Sequence, residues 1–225
     1  MLLALDTASR VISLALHDGN RVITESTWYS ANNHTIELSP AIHKALASNS
    51  LHPTDLTAIA VAQGPGSFTG LRIGMGVAKG LVLAQGRRMQ LVAVPTLDIV
   101  AAGAPVFEGQ LAAVLQAGRG RICVQRYQWD AENAWKPIGQ AEITAWEQLL
   151  DTITIPTLIA GEINDTGRQH LATTSVPVTV APAAASLRRA GYLAEIGWQR
   201  IRAGKTDDPN TVTPIYLHQP GVPHP

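Results

Sequence analysis

The sequence predicts an α/β fold in which one arrangement of strands and helices occurs twice. Three observations carry this prediction. An apolar run is followed by a segment with six glycines in seventeen residues, Gly64-Pro-Gly-Ser-Phe-Thr-Gly-Leu-Arg-Ile-Gly-Met-Gly-Val-Ala-Lys-Gly80, which is more glycine than an ordinary helix tolerates. The sequence Gly103-Ala-Pro105 then marks a boundary. After it, the order of strand, turn, strand, hairpin, strand and helix begins again, although identity between the halves is negligible.

The first unit contains five predicted strands, which cover residues 2–5, 11–16, 21–28, 56–62 and 91–94. Asp18-Gly19 is a hairpin signal between two of them. A first helix, with Pro40 near its first turn, is predicted from apolar residues at helical spacing, namely Ile36, Leu38, Ile42, Leu46 and Leu51. A second helix begins near Ser67, which can cap it, and a third begins at Pro95-Thr96.

The second unit repeats this order. Its predicted strands cover residues 111–115, 122–129, 135–143 and 157–160, with a turn at 116–120. Helices are expected from Trp146, near His170, and over residues 183–203. We therefore expect one domain of residues 1–103 plus 205–225 and a second domain of residues 104–204.

The charge balance argues against a protein that binds nucleic acid on its own. Lys and Arg total 17, as do Asp and Glu, so the formal net charge is zero, whereas such binders carry a basic face. The short clusters Arg87-Arg88 and Arg188-Arg189 are interpreted as solvated helix ends. If RNA is involved, a partner should supply most of the contact.

The single cysteine and the N-terminus carry little functional signal. Cys123 excludes an internal disulfide, and its place in a predicted strand favours a buried small hydrophobic residue over a nucleophile. Residues 1–6 lack the basic start of a signal peptide. No apolar run reaches the roughly 20 residues that a membrane helix needs. We expect a cytoplasmic protein without a membrane partner.

The glycine-rich segment has three interpretations. Gly66, Gly70 and Gly74 are spaced four apart, so a helix would carry them as a smooth stripe on one face. The stripe could be a docking surface, the start of the helix could hold phosphate, or the helix could pack tightly on its own sheet. The segment is neither a Walker A loop nor a dinucleotide fingerprint, because Leu71-Arg72 follows Gly70 and the glycine spacing is wrong.

Three segments resemble the TsaB family: Leu3-Ala-Leu-Asp-Thr-Ala8, Gly64-Pro-Gly-Ser-Phe-Thr-Gly-Leu-Arg-Ile-Gly74 and Thr213-Pro-Ile-Tyr-Leu217. The resemblance is dense through about residue 100 and sparse from 104 to 205. It implies two actin-like (ribonuclease-H-like) domains of the actin/hexokinase/sugar-kinase superfamily, the second of them degenerate.

The resemblance also implies a non-catalytic subunit needed to make threonylcarbamoyladenosine beside the anticodon of tRNA. In that pathway TsaD carries the chemistry, TsaB is its heterodimer partner, the ATPase TsaE acts on the pair, and tRNA is met only through the complex. The family's dimerisation helices correspond to residues of about 34–48 and 67–86. The expected partner-binding residues are Ile36, Leu38, Ile42, Leu46, Gly66, Phe68, Gly70, Ile73, Gly74 and Val77. Without TsaD, the same patch is expected to form a homodimer.

The residues for metal and nucleotide chemistry are depleted. No two of the seven histidines are four apart, so we assign no metal site. A degenerate nucleotide site would use Asp6, Thr7, Gly64, Gly66, Ser67 and Thr69. In the second unit, Gln116, Gly118 and Arg121 depart from the family's acidic pattern. We expect no cofactor, with ATP or ADP bound only weakly or at the partner interface.

Other functions stay open at this point. The chain could be a stand-alone small-molecule kinase or ATPase of the same superfamily, with Asp6 and the loop 64–69 holding phosphates. It could also be a homodimeric interaction protein without TsaD. A serine protease is disfavoured because no Gly-x-Ser-x-Gly motif occurs.

Overall fold

The computed structural model describes residues 1–31, 33–86, 88–131 and 134–217, and the chain divides into two compact units. Unit 1 comprises residues 1–99 and 188–215, and unit 2 comprises residues 100–187 with Tyr216 and Leu217. Arg87, named above as part of a helix end, and the tail beyond residue 217 lie outside the described residues.

Ten strands, six α-helices and one short 3-10 helix, Pro53–Asp55, are found in the described ranges. The strands are β1 Leu2–Asp6, β2 Val11–His17, β3 Val22–Tyr29, β4 Ala58–Gly64, β5 Gln90–Pro95, β6 Gln110–Gly118, β7 Arg121–Trp129, β8 Trp135–Thr144, β9 Thr157–Gly161 and β10 Val178–Val180. The helices are α1 His34–Ser48, α2 Phe68–Ala84, α3 Thr96–Gly103, α4 Trp146–Asp151, α5 Asp165–Thr173 and α6 Ala190–Arg202.

The two sheets have the same topology, which confirms the predicted repeat. In unit 1 the order is β3-β2-β1-β4-β5, and β1 pairs antiparallel with β2 and parallel with β4. In unit 2 the order is β10-β9-β6-β7-β8, where β6 occupies the place of β1. In each sheet the central strand, β1 or β6, therefore has a parallel neighbour, β4 or β9. Loops that follow such strands meet at one edge of the sheet, which is where ligand sites form in open α/β sheets.

The core of unit 1 lies between its sheet and the helices α1 and α2. All five residues of β1 are buried, as the apolar run at the N-terminus predicts. From α1, Leu38, Ile42 and Leu46 pack into this core, and from α2 so do Met75 and Val82. Burial of a whole strand on both faces is expected where helices cover both sides of a sheet.

Two details of the helices differ from the prediction. Pro40 lies inside α1 rather than in its first turn, because the helix already begins at His34. The last helix begins at Ala190 rather than near residue 183, and it packs on β1 and β2 of unit 1. The helix also packs on β4, where Gly197 permits close approach, since a Cβ there would lie 2.7 Å from the Cβ of Ala60.

The predicted second domain, residues 104–204, is therefore too long. The chain returns to unit 1 at residue 188, and α6 belongs to the first sheet. An amphipathic pattern identifies the buried face of a helix but not the sheet beneath it, which is why the sequence misassigned α6. Among the described residues, no helix combines the length and apolarity needed to cross a bilayer.

Candidate functional site

The functional residues of unit 1 meet at the turn that follows β1, residues 6–9. Asp6 is fully buried at the end of the strand. Its Oδ1 accepts a hydrogen bond from the backbone N–H of Ala8 at 2.9 Å, and its Oδ2 accepts one from Nε of Arg188 at 2.9 Å. A buried carboxylate requires such partners, because an unpaired charge is costly in a dry interior. The predicted site residue Asp6 is thus engaged within its own unit.

Arg188 is the residue that sequence reasoning missed. It was interpreted as part of a solvated helix end, but it is only 3% exposed and forms a buried ion pair with Asp6. Its Nη2 also donates to Oγ of Ser9 at 2.6 Å. The neighbouring Arg189 does lie at the surface, where it pairs with Glu25. A buried Asp6 indicates that some cation must approach it, but nothing local distinguishes Arg188 from the other basic residues.

The start of α2 is fastened to the same turn. The carbonyl oxygen of Ala8 accepts from the backbone N–H of Ser67 at 2.6 Å. The hydroxyl of Thr7 donates to the carbonyl oxygen of Gly70 at 2.7 Å. Ser67 caps the helix as predicted, with Oγ accepting from the N–H of Gly70 at 3.2 Å. Asp6, Thr7, Gly66 and Ser67 are therefore brought together, and the bonds of the Thr7 hydroxyl and the Ser67 backbone N–H hold the start of α2 to the turn.

The remaining predicted nucleotide residues lie nearby but serve differently. Gly64 has a φ of +118°, a conformation that favours glycine, and a Cβ there would collide with the carbonyl oxygen of Ile215. Its N–H donates to Oγ1 of Thr96 at 3.0 Å. Thr69 is exposed in the first turn of α2. At this place the N-terminus of α2 is capped by Ser67, and the carboxylate of Asp6 is already paired with the guanidinium of Arg188.

The glycines in α2 and just before it form two sets with different neighbours. A Cβ at Gly66, Gly70 or Gly74 would collide with Ala8 or Thr7 of the adjacent turn. The expectation that a partner approaches this stripe is therefore wrong, and the interpretation as tight packing on its own unit is right. Because these glycines face inward, a bulky residue there would disturb the monomer instead of only separating it from a partner.

Two further glycines of α2 face outward. Gly76 and Gly80 have nothing within 4 Å of the position that a Cβ would take. They lie on a different face from Gly70 and Gly74, because at about 100° per residue the two pairs are centred about 120° apart around the helix. The four-residue spacing of 76 and 80 in the sequence carries the same signal as that of 66, 70 and 74. Only the three-dimensional contacts show which stripe is covered.

An apolar groove of about 390 Å³ runs between α1 and α2. Its lining consists of Ser39, Ile42, His43, Leu46, Ala47, Leu51, His52, Pro53, Val77 and Leu81. Of the predicted partner-binding residues, Ile42, Leu46 and Val77 line this groove. Leu38 is corrected to a core residue, because it is only 1% exposed and cannot reach a partner.

Two predicted partner-binding residues are prominent on the surface. Ile36 is 68% exposed in the first turn of α1, and Phe68 is 57% exposed at the start of α2. The guanidinium of Arg72 lies 5.0 Å from the centre of the Phe68 ring, within reach of a cation–π interaction. Ile73 is partly buried against the core. Large apolar side chains left exposed on neighbouring helices are typical of an interaction surface.

The corresponding turn of unit 2 carries an amide in place of the carboxylate. Nε2 of Gln116 donates to the carbonyl oxygen of Glu162 at 2.7 Å, and its Oε1 accepts from Nδ2 of Asn164 at 3.0 Å. Gly161 at the end of β9 has a φ of +114°, close to the +118° of Gly64 at the end of β4 in unit 1. In the ranges that the structure describes, no group of three or more His, Cys, Asp or Glu residues could hold a metal ion.

Cys123 lies in β7 and is buried, as predicted. Burial in an apolar environment raises the pKa of its thiol from 9.0 to about 11, because desolvation disfavours the thiolate. A thiol that stays protonated at neutral pH is a poor nucleophile and metal ligand.

The amino-acid sequence is similar to those of known proteins. The family model described as TsaD, tRNA N6-adenosine threonylcarbamoyltransferase, matches residues 28–177. The tRNA threonylcarbamoyladenosine biosynthesis protein TsaB of Bacillus subtilis is 37% identical over 128 residues, which cover 57% of this chain and 55% of the relative. TsaB of Escherichia coli is 35% identical over 60% of this chain and 58% of the relative. The matched region thus spans little more than half the length of these curated relatives.

Likeness over nearly the whole chain comes from solved structures. YeaZ from Pseudomonas aeruginosa superposes with a TM-score of 0.77 at 27% identity, covering 96% of this chain and 99% of the other. The ethanolamine utilization protein EutJ from Carboxydothermus hydrogenoformans, with a TM-score of 0.51 and 13% identity, shares the fold alone. The fold is the expected two-domain actin-like α/β fold. Because the family model covers two thirds of its residues and its relatives carry the TsaB and YeaZ names, the chain belongs to the TsaB/YeaZ family.

Proposed function

We propose that this chain takes part in the biosynthesis of threonylcarbamoyladenosine in tRNA as a non-catalytic subunit that binds and supports TsaD. The observation that carries the proposal is membership in the TsaB/YeaZ family, whose curated relatives bear that biosynthetic role in their names. The site supports the non-catalytic part, because Asp6 is paired with Arg188 and Gln116 replaces its counterpart in unit 2. TsaD then supplies the transferase chemistry.

The proposed docking face consists of the α1–α2 groove together with Gly76 and Gly80. The groove offers apolar side chains, and the two open glycines let a partner helix come close to the backbone of α2. Ile36 and Phe68 add exposed apolar area at the start of each helix. Burial of such area is the main favourable contribution to protein association.

The proposal places tRNA and the ATPase TsaE on the complex. The formal net charge of zero gives this chain no overall electrostatic attraction to tRNA of the kind that lone nucleic-acid binders have. Arg188 and Arg189 are further engaged in ion pairs with Asp6 and Glu25. We therefore expect tRNA to meet the chain only through TsaD, in the cytoplasm where tRNA is modified.

The function is tested by deleting the gene and measuring tRNA nucleosides by mass spectrometry. Threonylcarbamoyladenosine should disappear or fall sharply, and expression of the wild-type chain should restore it. If the modification persists at its normal level after deletion, the chain has no necessary role in this pathway. That outcome would favour a homodimeric interaction protein without TsaD.

The docking face is tested with Gly80→Leu, whose side chain projects into open space and leaves the monomer intact. We expect the affinity for purified TsaD, measured by titration calorimetry, to fall at least about tenfold, since a bulky group blocks close approach. The matched control is Ala172→Leu, which adds the same side chain to an exposed position of α5. Wild-type affinity of Gly80→Leu would show that this face does not bind TsaD.

A stand-alone kinase or ATPase is the competing function, and Asp6 beside the capped start of α2 is the observation that keeps it in view. It requires ATP and Mg²⁺ to displace Arg188 from the carboxylate. Calorimetry of the isolated chain with ATP and Mg²⁺ separates the two functions. Tight saturable binding, with hydrolysis abolished by Asp6→Asn, would favour the kinase or ATPase.

A further inference from the structure

The turn at residues 6–9 supports both helices of the docking face. A ring nitrogen of His34, the first residue of α1, lies 2.8 Å from the carbonyl oxygen of Ser9 and is hydrogen-bonded to it. His34 is itself buried, so this contact is shielded from solvent. The start of α2 is bound to Thr7 and Ala8 of the same turn. A movement of four residues would therefore displace the first turns of two helices together.

Arg188 holds this turn at both of its ends. Its Nε binds Asp6 at 2.9 Å, and its Nη2 binds Ser9 at 2.6 Å. The side chains of Arg188 and Asp6 are 2% and 1% exposed, so solvent does not screen their attraction. The next residues are also fixed, because the N–H of Ala190 donates to Oγ of Ser13 in β2 at 2.8 Å. The guanidinium is thus anchored to the sheet on one side and to the turn on the other.

The geometry of the guanidinium suits this task. Its planar fork presents several donors in fixed directions, so it can bind acceptors three residues apart at once. A lysine at the same position keeps the positive charge, but its compact ammonium group lacks the planar set of donors that binds both acceptors. The hydrogen bonds to α1 and α2 are made by Thr7, Ala8 and Ser9 of the turn. Arg188 is not among the residues that line the groove.

We propose that Arg188 is a positioning residue for partner binding, which fixes the turn at residues 6–9 and through it the first turns of α1 and α2. This inference rests on the proposed function, since it concerns the same docking face. Arg188 acts at a distance, by holding the surface in the arrangement that the partner recognises. Residues that contact neither ligand can modulate binding in this way.

The test compares Arg188→Lys and Arg188→Met with the matched control Arg189→Met in the full chain. The control removes an adjacent, surface-exposed arginine whose partner is Glu25 and leaves the turn untouched. Affinity for purified TsaD is measured by calorimetry, and backbone hydrogen exchange is followed along unit 1. We expect Arg188→Lys to weaken TsaD binding about tenfold and to speed exchange in the first turns of α1 and α2 while β4 and β5 keep their protection. Arg189→Met should match the wild type in both measurements.

Chemical rescue adds a second readout. In Arg188→Ala, free guanidinium ion at low, non-denaturing concentration should occupy the vacated position and restore part of the affinity and of the exchange protection. The same concentration of sodium chloride should not, because a sodium ion lacks the planar donors. Rescue by guanidinium alone would identify the hydrogen-bonding fork, rather than general stability, as the origin of the effect.

The outcomes separate this inference from the proposed function. If the wild-type chain does not bind TsaD, the proposed function is wrong, while the exchange pattern still decides whether Arg188 orders the two helix starts. If Arg188→Lys binds TsaD as the wild type does, or speeds exchange uniformly over unit 1, Arg188 is not a positioning residue. Should Arg188→Met fail to fold, Arg188→Lys and the guanidinium rescue decide between these outcomes.

Discussion

At the scale of single residues, chemical type says less than the neighbours do. Gly70 and Gly80 stand in the same helix ten residues apart, yet one faces Thr7 of its own chain and the other faces open space. Asp6 ends β1 and Gln116 lies near the end of the equivalent β6, yet the first binds a guanidinium and the second an asparagine. The contrast between the two glycines leads to a prediction that depends on contacts and not on composition.

The first prediction concerns the two glycines. Gly70→Ala should lower the free energy of unfolding by about 1–3 kcal/mol, because its Cβ collides with backbone. Gly80→Ala should raise it by about 0.5–1 kcal/mol, since alanine restricts the unfolded chain and suits a helix. Urea denaturation followed by circular dichroism measures both. Changes of the same sign would contradict the assignment of the two glycine faces.

The second prediction concerns Cys123, whose thiol has a pKa raised by burial to about 11. The unfolded thiol ionises near 9.0, so between pH 9 and 11 the unfolded state binds fewer protons than the native state. The free energy of unfolding should therefore fall as pH rises through this range, and the fall should be smaller in Cys123→Ala. At neutral pH a thiol reagent should label Cys123 only on unfolding. Rapid labelling of the native chain would contradict this burial.

At the scale of elements, local sequence patterns predicted nearly every strand and the start of nearly every helix. The two hairpins and the cap at Ser67 follow from periodicity and turn residues, which act over a few positions. The strand β10 was missed because three residues are too few to show alternation. The assignment of α6 to the first sheet, and the pairing of Arg188 with Asp6 across 182 residues, depend on long-range packing that no local pattern encodes.

The third prediction concerns the start of α2. Ser67→Ala removes the oxygen that accepts from Gly70 and should cost about 1 kcal/mol of stability. Ser67→Asp keeps an acceptor and adds negative charge at the positive end of the helix, so it should retain stability. Thr69→Ala, two positions on, leaves the cap in place and serves as the control. Thermal unfolding should rank Ser67→Ala below the other two, and equal stability of all three would show that the cap contributes nothing.

At the scale of the whole molecule, an apolar surface without its partner is expected to find another occupant. The docking face needs only self-complementarity to meet a second copy around a two-fold axis. Sequence reasoning placed this contact near Ile42 and residues 70–77. We now expect the α2 part of this contact at Gly76, Val77 and Gly80, because Gly70 and Gly74 are covered by Thr7 of their own unit.

The fourth prediction is that the purified chain forms a homodimer through this face. Light scattering at roughly tens of micromolar should give twice the chain mass, and addition of TsaD should replace the homodimer with a heterodimer. Gly80→Leu should shift the chain toward monomer, whereas Ala172→Leu should not. A wild-type chain that stays monomeric, or a Gly80→Leu variant that dimerises fully, would contradict this prediction.

The division of unit 1 into residues 1–99 and 188–215 also imposes an order on biosynthesis. A ribosome takes roughly 4 to 18 s to make the intervening stretch. During this time the nascent sheet of unit 1 lacks α6, and Asp6 lacks its partner Arg188. The sheet and helices of unit 2 lie within the continuous stretch 100–187, so they can form before residues 188–215 complete unit 1. The early nascent chain therefore presents an apolar sheet face that a ribosome-associated chaperone would be well placed to shield, until residues 188–215 are made and α6 covers it.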